Sequence, residues 1–176
     1  MNFQKHLGAG AVFLIVSAPF VAAATEFGSG YGRQFLGNTA LQQYEMVVRE
    51  PLFSKTNLGG LFQVSSRVEF GMAVISEHGV EYSEVGRFSC IPEVVFRPHN
   101  RIHSFVGLGG GFMGGDAEFT RHDLGGPFFL ASKAGVRLLL GVEWGIEYVY
   151  YHQSNAGIYE HNASLNMQQF AFFWSF

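Results

Sequence analysis

His152 and Ser154 are separated by one residue, and in a β-strand two such side chains leave the same face. An imidazole beside a hydroxyl is the core of nucleophilic acyl transfer, because the ring removes the proton as the oxygen attacks. The chain continues Asn155-Ala156-Gly157, turns, and returns with Asn162, Ser164 and Asn166 on the same parity. A hairpin centred near Tyr159 places Asn166 opposite His152; neither the register nor the loop type is set by the residues alone. Before His152 the same row reads Trp144, Ile146, Tyr148 and Tyr150, changing from apolar to aromatic to polar as the strand climbs. The pair is thus expected just above an interfacial aromatic girdle. His-x-Ser alone is a weak signal, since the polar rim of a barrel supplies the same residues.

The elements that must hold this pair are strands with one lipid-facing side. Leu165 to Phe176 ends the chain on Phe170, Phe172, Trp174 and Phe176 at every second position, a face that only lipid or a partner covers. Further back, Tyr44, Met46 and Val48 alternate with Glu45 and Arg49. From Phe62 to Val74 the apolar row alternates with Gln63, Arg67 and Glu69; Phe88, Val94 and Phe96 alternate with Arg87, Glu93 and Arg97. Ile102 to Phe112 and Phe128 to Leu138 continue the pattern, with Lys133 and Arg137 on the opposite face. A weaker strand over Phe27 to Gln34, one over Val142 to Ser154 and the last give eight. An all-β, eight-stranded antiparallel transmembrane barrel of the outer membrane is expected, with Arg, Lys and Glu paired inside a lumen too narrow for a pore. A soluble lipocalin-like barrel leaves the aromatic carboxyl terminus unexplained.

Composition agrees. The chain of 176 residues holds 19 Phe and 23 Gly, with only 14% charged residues, yet no mature segment reaches the roughly 20 apolar residues of a helical span. Residues 1–24 have the order of a secretory signal peptide: Lys5, an apolar run from Gly8 to Val21, then Ala22-Ala23-Ala24. The barrel domain is then residues 25–176. The net charge of −3 and the absence of a basic run give no support to nucleic-acid binding. Cys90 is alone, so no internal disulfide forms.

With both termini in the periplasm, Pro98 to Arg101 and Leu140-Gly141 are short inner turns, while Ser76 to Val85 and Gly114 to Gly126 are outer loops. Glu50 to Gly59 is long for an inner turn, and Pro92 interrupts a strand. Glu143 and Glu147 are expected in the lumen, paired with Lys133 or Arg137. The histidines at 78, 99, 103, 122 and 161 show no metal-ligand spacing, and no metal or cofactor is expected.

His152-Gln153-Ser154-Asn155-Ala156-Gly157, followed by Asn162 and Asn166 on a closing aromatic strand, resembles the lipid A 3-O-deacylases of the PagL family. The barrel plan covers the mature chain; the specific motif occupies about residues 148 to 166. The resemblance implies an outer-membrane esterase that removes the acyl chain at position 3 of lipid A, with lipopolysaccharide as substrate and no cofactor. It implies Ser154 as nucleophile and His152 as general base, with the N–H groups of Asn155, Ala156 and Gly157 and the Asn162 side chain as oxyanion donors. Characterised members carry a catalytic Glu where this chain has Asn166. An amide orients an imidazole but lends it no charge, so reduced or lost activity is one expectation; Glu160 in the loop is the weaker substitute. The alternatives are a non-catalytic structural or adhesive barrel acting through the Gly114 to Gly126 loop, and a barrel phospholipase. A homodimer stays open.

Overall fold

A computed structural model describes residues 25–36, 41–58, 62–80, 84–114, 117–120 and 122–176; the expected leader, residues 1–24, lies outside them. In chain order the strands are β1 (Glu26–Gln34), β2 (Leu41–Leu58), β3 (Phe62–Glu77), β4 (Glu84–Arg97), β5 (Ile102–Gly114), β6 (Glu118–Phe119), β7 (His122–Asp123), β8 (Phe128–Leu139), β9 (Trp144–Ser154) and β10 (Leu165–Ser175). Eight of them form one closed antiparallel barrel, and β6 and β7 make a small hairpin within the β5–β8 connection. Closure is made by β1 against β10, from Glu26 opposite Ser175 to Gln34 opposite Met167. A closed cylinder leaves no unpaired edge, which is the condition for strands to cross lipid.

On β2 up to Glu50, on β3 to β5 and on β8 to β10 the even-numbered residues face outward, as Tyr44, Met46, Phe70, Met72, Phe170 and Trp174 show. Rings meet across strands on this surface, Tyr31 with Tyr44 and Tyr148 with Phe170, each at 5.1 Å between centroids. β1 inverts the parity: Phe27 pairs with both Trp174 and Val48, so its even residues Glu26, Gly28, Gly30 and Gly32 point inward. Three inward glycines account for the weakness of this strand in the sequence. They are needed for space: a Cβ at Gly30 would lie 2.5 Å from Gln169 Nε2.

The lumen has two halves. Towards the termini, Arg49 donates to Glu26 and Glu69 at 2.6 Å and to Glu147 at 2.8 Å. Lys133 donates to Glu69 at 2.6 Å, and Arg67 to Glu93 at 2.5 Å. Towards the loops, the interior is apolar: Leu41, Ile75, Val85, Ile91, Met113, Phe129, Tyr151, Leu165 and Met167 are buried, capped by Phe119 and Leu124 from the β6–β7 segment. Arg87 stacks over the Tyr151 ring at 4.2 Å where the halves meet. The paired lumen charges expected from the sequence are present; the apolar plug above them is an addition.

Several local expectations need correction. Glu50 to Leu58 is not a turn, because β2 continues through it, paired with β3 across irregularities at Pro51/Phe53 and Phe53/Thr56. Strand β9 begins at Trp144, which leaves Val142 and Glu143 in the preceding turn. Glu143 is exposed there, and its carbonyl accepts from Ser175 N–H at 2.7 Å. Glu147 does pair with Arg137, at 2.8 Å to Nε, but the carboxylate on Lys133 belongs to Glu69. Strand β3 runs to Glu77 and β4 starts at Glu84, so the loop between them is shorter than Ser76 to Val85. Pro92 is tolerated because the β4–β5 ladder lapses beside it, between the pairs Cys90–Gly110 and Glu93–Gly107.

Candidate active site

The β9–β10 hairpin aligns Asn166 with His152. Both side chains, and that of Ser154, are half-buried on the outer wall near its loop end. His152 Nδ1 lies 2.8 Å from Asn166 Oδ1. An amide oxygen can only accept, so Nδ1 carries the hydrogen and Nε2 keeps the lone pair. The Tyr150 hydroxyl donates to the same Oδ1 at 3.0 Å, which holds the amide with its oxygen, rather than its NH2, against the ring. Tyr150 is itself buttressed edge-on by Phe35, whose N–H donates to the Asn166 carbonyl at 3.2 Å. Ser154 closes β9 opposite Leu130 of β8, on the same face as His152. Among the described residues no hydrogen bond joins its hydroxyl to the imidazole.

Beyond Ser154 the chain makes a tight turn. Ile158 N–H donates to the Asn155 carbonyl at 3.0 Å, and Ala156 and Gly157 have φ of 54° and 78°. Positive φ at both central positions defines a type I′ turn; Gly157 adopts it freely, while Ala156 is held there at some cost. Asn155 ties this turn down from a buried position. Its Oδ1 accepts from Gly157 N–H at 2.9 Å, and its Nδ2 donates to the carbonyls of Leu124 and His161. Its own N–H donates to Asn162 Oδ1 at 2.9 Å. Two of the N–H groups expected to receive an oxyanion, those of Asn155 and Gly157, are therefore already engaged by side-chain oxygens. Within that set the Ala156 N–H and the Asn162 NH2 are the donors not used inside the turn. Glu160 is exposed in the loop, and the partner of the imidazole is Asn166.

The sequence reading missed the structural duty of Asn155, although Asn followed two residues later by Gly is the signature of an Asx turn. Missed too was Tyr150, assigned only to the aromatic girdle. Gly125 supports the same knot: its φ is +91°, and a Cβ there would lie 2.1 Å from the His161 carbonyl oxygen and 2.3 Å from Asn155 Nδ2. Gly125→Ala is expected to break the Asn155–His161 bond and to lower any hydrolysis at this site at least about tenfold, the loss of one such hydrogen bond. Assay of the variant alongside heat-modified gel mobility checks this, with the barrel itself expected intact.

Below the pair, a groove of about 580 Å³ runs along the outer wall. Gly107, Ser132 and Ala134 floor it, between Val94, Val106 and Leu108 on one side and Tyr150 on the other. Ser132 is the cross-strand partner of His152, so the groove begins beside the imidazole. Its apolar walls suit a hydrocarbon chain lying against the barrel. Among the described residues, no cluster of His, Cys, Asp or Glu could hold a metal ion.

Solved structures similar to this barrel are membrane barrels. The crystal structure of the outer membrane enzyme PagL matches with a TM-score of 0.71 and 14% identity, over 85% of this chain and 98% of that one. A de novo designed transmembrane β-barrel matches at 0.59 and 8% identity, over 87% and 95%. The Yersinia pestis outer membrane protein Ail matches at 0.51 and 11%, over 88% and 100%. At such identities the likeness is one of fold. No curated protein sequence matches the chain. The sequence profile of the lipid A 3-O-deacylase (PagL) family matches residues 65–175, more than half of the chain, and spans the whole candidate site. Barrel and family profile thus agree: the chain is an outer-membrane β-barrel and belongs to the lipid A 3-O-deacylase (PagL) family.

Proposed function

We propose that this barrel hydrolyses the ester at position 3 of lipid A, with Ser154 as nucleophile, His152 as general base and Asn166 as the residue that orients it. The observation carrying this reading is the 2.8 Å approach of His152 Nδ1 to Asn166 Oδ1, which leaves the lone pair of Nε2 for the serine hydroxyl. Ser154 Oγ attacks the ester carbonyl as Nε2 takes its proton. The Ala156 N–H and Asn162 NH2 steady the oxyanion, and the sugar hydroxyl leaves with the proton returned from Nε2. Water then hydrolyses the acyl-serine by the same route. Lipid A reaches an exterior site laterally, within the leaflet, and the groove beside Ser132 takes the acyl chain. In this reading residues 1–24 are the secretory leader and residues 25–176 the working barrel.

The adhesive alternative finds less support. Among the described residues of the Gly114 to Gly126 connection, Phe119 and Leu124 are buried against the lumen, and the Asp123 carbonyl accepts from Ala163 N–H at 3.0 Å. Those two side chains serve the barrel's apolar plug rather than a surface contact.

The test is mass spectrometry of lipid A incubated with the folded protein. Loss of one hydroxyacyl group from position 3 supports the reading; unchanged lipid A, or fatty acid released from glycerophospholipid instead, sinks it. Asn166 adds a graded check. Asn166→Glu is expected to raise the rate roughly tenfold, since a charge-assisted bond to the imidazolium is stronger by about 1–2 kcal/mol than one to an amide. Asn166→Ala should lower it, because nothing then selects the ring tautomer. Equal rates for all three, followed as initial velocities, would remove Asn166 from the mechanism.

A further inference from the structure

His152 and Ser154 stand between two different surfaces of the outer wall. On their β8 side lies the apolar groove, which begins at Ser132, the cross-strand partner of His152. On the other side the strand order runs β9, β10, β1, β2. Two rows of cross-strand partners span these four strands below the His152–Asn166 pair. The lower row is aromatic throughout: Tyr148, Phe170, Tyr31 and Tyr44. The upper row reads Tyr150, Gln168, Arg33 and Gln42. Polar side chains thus enter within one outward step of the aromatic girdle, which places the upper row at the head-group level of the leaflet.

Arg33 differs from the other cations of the barrel. Arg49, Arg67, Arg87, Lys133 and Arg137 are buried in the lumen, each against a carboxylate. Arg33 faces outward and is exposed, and among the described residues its guanidinium has neither an ion pair nor a hydrogen bond. Gln168, beside it on β10, is exposed with its amide equally free among those residues. The Gln42 amide is occupied, accepting from the Tyr31 hydroxyl at 3.2 Å and donating to Ser76 at 3.3 Å. A cation on the lipid face is costly at mid-depth and tolerated at the interface, where anionic head groups lie.

Arg33 stands two strand spacings, roughly 10 Å, to the side of His152 and one outward step deeper. Its side chain is long enough to snorkel back to the level of Asn166. An ester held at Ser154 therefore has a hydrocarbon groove on one side and a free guanidinium on the other. Lipid A has matching chemistry, with acyl chains on its sugars and a phosphate at each end of its disaccharide. Arginine's planar fork pairs with two phosphate oxygens at once.

We propose that Arg33, with the Gln168 amide, binds a phosphate of the lipid A head group. The sugar then lies across β10 and β1 while the acyl chain enters the groove. This rests on the hydrolysis proposed above and adds the residue that fixes the direction of the substrate. Arg33 precedes residues 65–175, the stretch matched by the family profile, so the contact is a feature of this chain rather than of that profile. It acts on binding alone, equally in ground and transition state, because it lies away from the ester and the imidazole.

The experiment measures deacylation of lipid A in detergent micelles of fixed composition by wild type, Arg33→Gln, Arg33→Lys and Arg101→Gln. Arg101 is exposed at the opposite end of the barrel and controls for net charge. Arg33→Gln is expected to raise KM at least about tenfold with kcat within about twofold, an effect largely restored in Arg33→Lys and absent in Arg101→Gln. On lipid A stripped of both phosphates the Arg33→Gln penalty should vanish; lipids lacking one phosphate or the other then show which of the two is held. An unchanged KM in Arg33→Gln, a penalty that persists on the fully dephosphorylated lipid, or an equal penalty in Arg101→Gln overturns the proposal. Native mass spectrometry of the same lipids on Ser154→Ala protein, with and without Arg33→Gln, reads binding apart from turnover. Phosphate-dependent binding lost with Arg33, in a protein whose wild type leaves lipid A intact, keeps the head-group site and rejects the hydrolysis. Binding that ignores Arg33 overturns the site whatever the turnover.

Discussion

Ser154→Ala is expected to reduce deacylation of lipid A by at least about a thousandfold while leaving the barrel folded. The hydroxyl is half-exposed at the last position of β9 and anchors no neighbouring element, so its removal should cost little stability. What it removes is the covalent route. His152→Ala should cause a comparable loss, and the double variant should be no worse than either single one, because base and nucleophile act as a unit. Asn155→Ala makes a different prediction, in which binding and rate fall together as the turn loosens. Time courses of acyl loss by mass spectrometry, with folding checked by heat-modified gel mobility, separate these cases. A Ser154→Ala protein retaining more than about a tenth of the activity would assign the chemistry to another nucleophile.

The second large effect concerns stability. Glu147→Gln is expected to destabilise the barrel by about 3–5 kcal/mol, the usual cost of removing one partner from a buried ion network. Glu147 accepts from Arg49 Nη2 at 2.8 Å and from Arg137 Nε at 2.8 Å, and a short contact joins it to Arg137 Nη2 as well. Two guanidinium groups would be left facing a neutral amide, one of whose two terminal atoms is now an NH2 that cannot accept. The low-dielectric wall does not screen them as bulk water would. Urea unfolding of the barrel in lipid vesicles measures the change. A shift below about 1 kcal/mol would mean that water already penetrates the network and shields it. Replacing Arg137 by Met in the same background should recover part of the loss, because the excess cation is then removed while Glu26 keeps Arg49 and Arg67.

Alternation of apolar and charged residues is a local property with a period of two, and it holds in the structure outside β1 and the irregular end of β2. Even-numbered outward faces on β2 to β5 and β8 to β10, eight spanning strands and the aromatic closing strand were all legible from the residues themselves. So was the grouping of His152, Ser154 and Asn166 on one face, because parity alone delivers it. What parity cannot deliver is register, which depends on where each strand meets its neighbour. The alignment of Asn166 with His152 is set by the length of the β9–β10 loop and by the type I′ turn that Asn155 ties down. The choice of Glu69 rather than Glu147 for Lys133 follows from how the cylinder closes, since those residues are 64 positions apart. The parity inversion at β1, which carries Glu26 into the lumen, arises only at the seam between first and last strands. Tyr150 was read as a girdle residue, and only its approach to Asn166 Oδ1 shows that it sets the amide's orientation. Local chemistry thus determined which faces exist, and the closure of the barrel decided which residues meet across them.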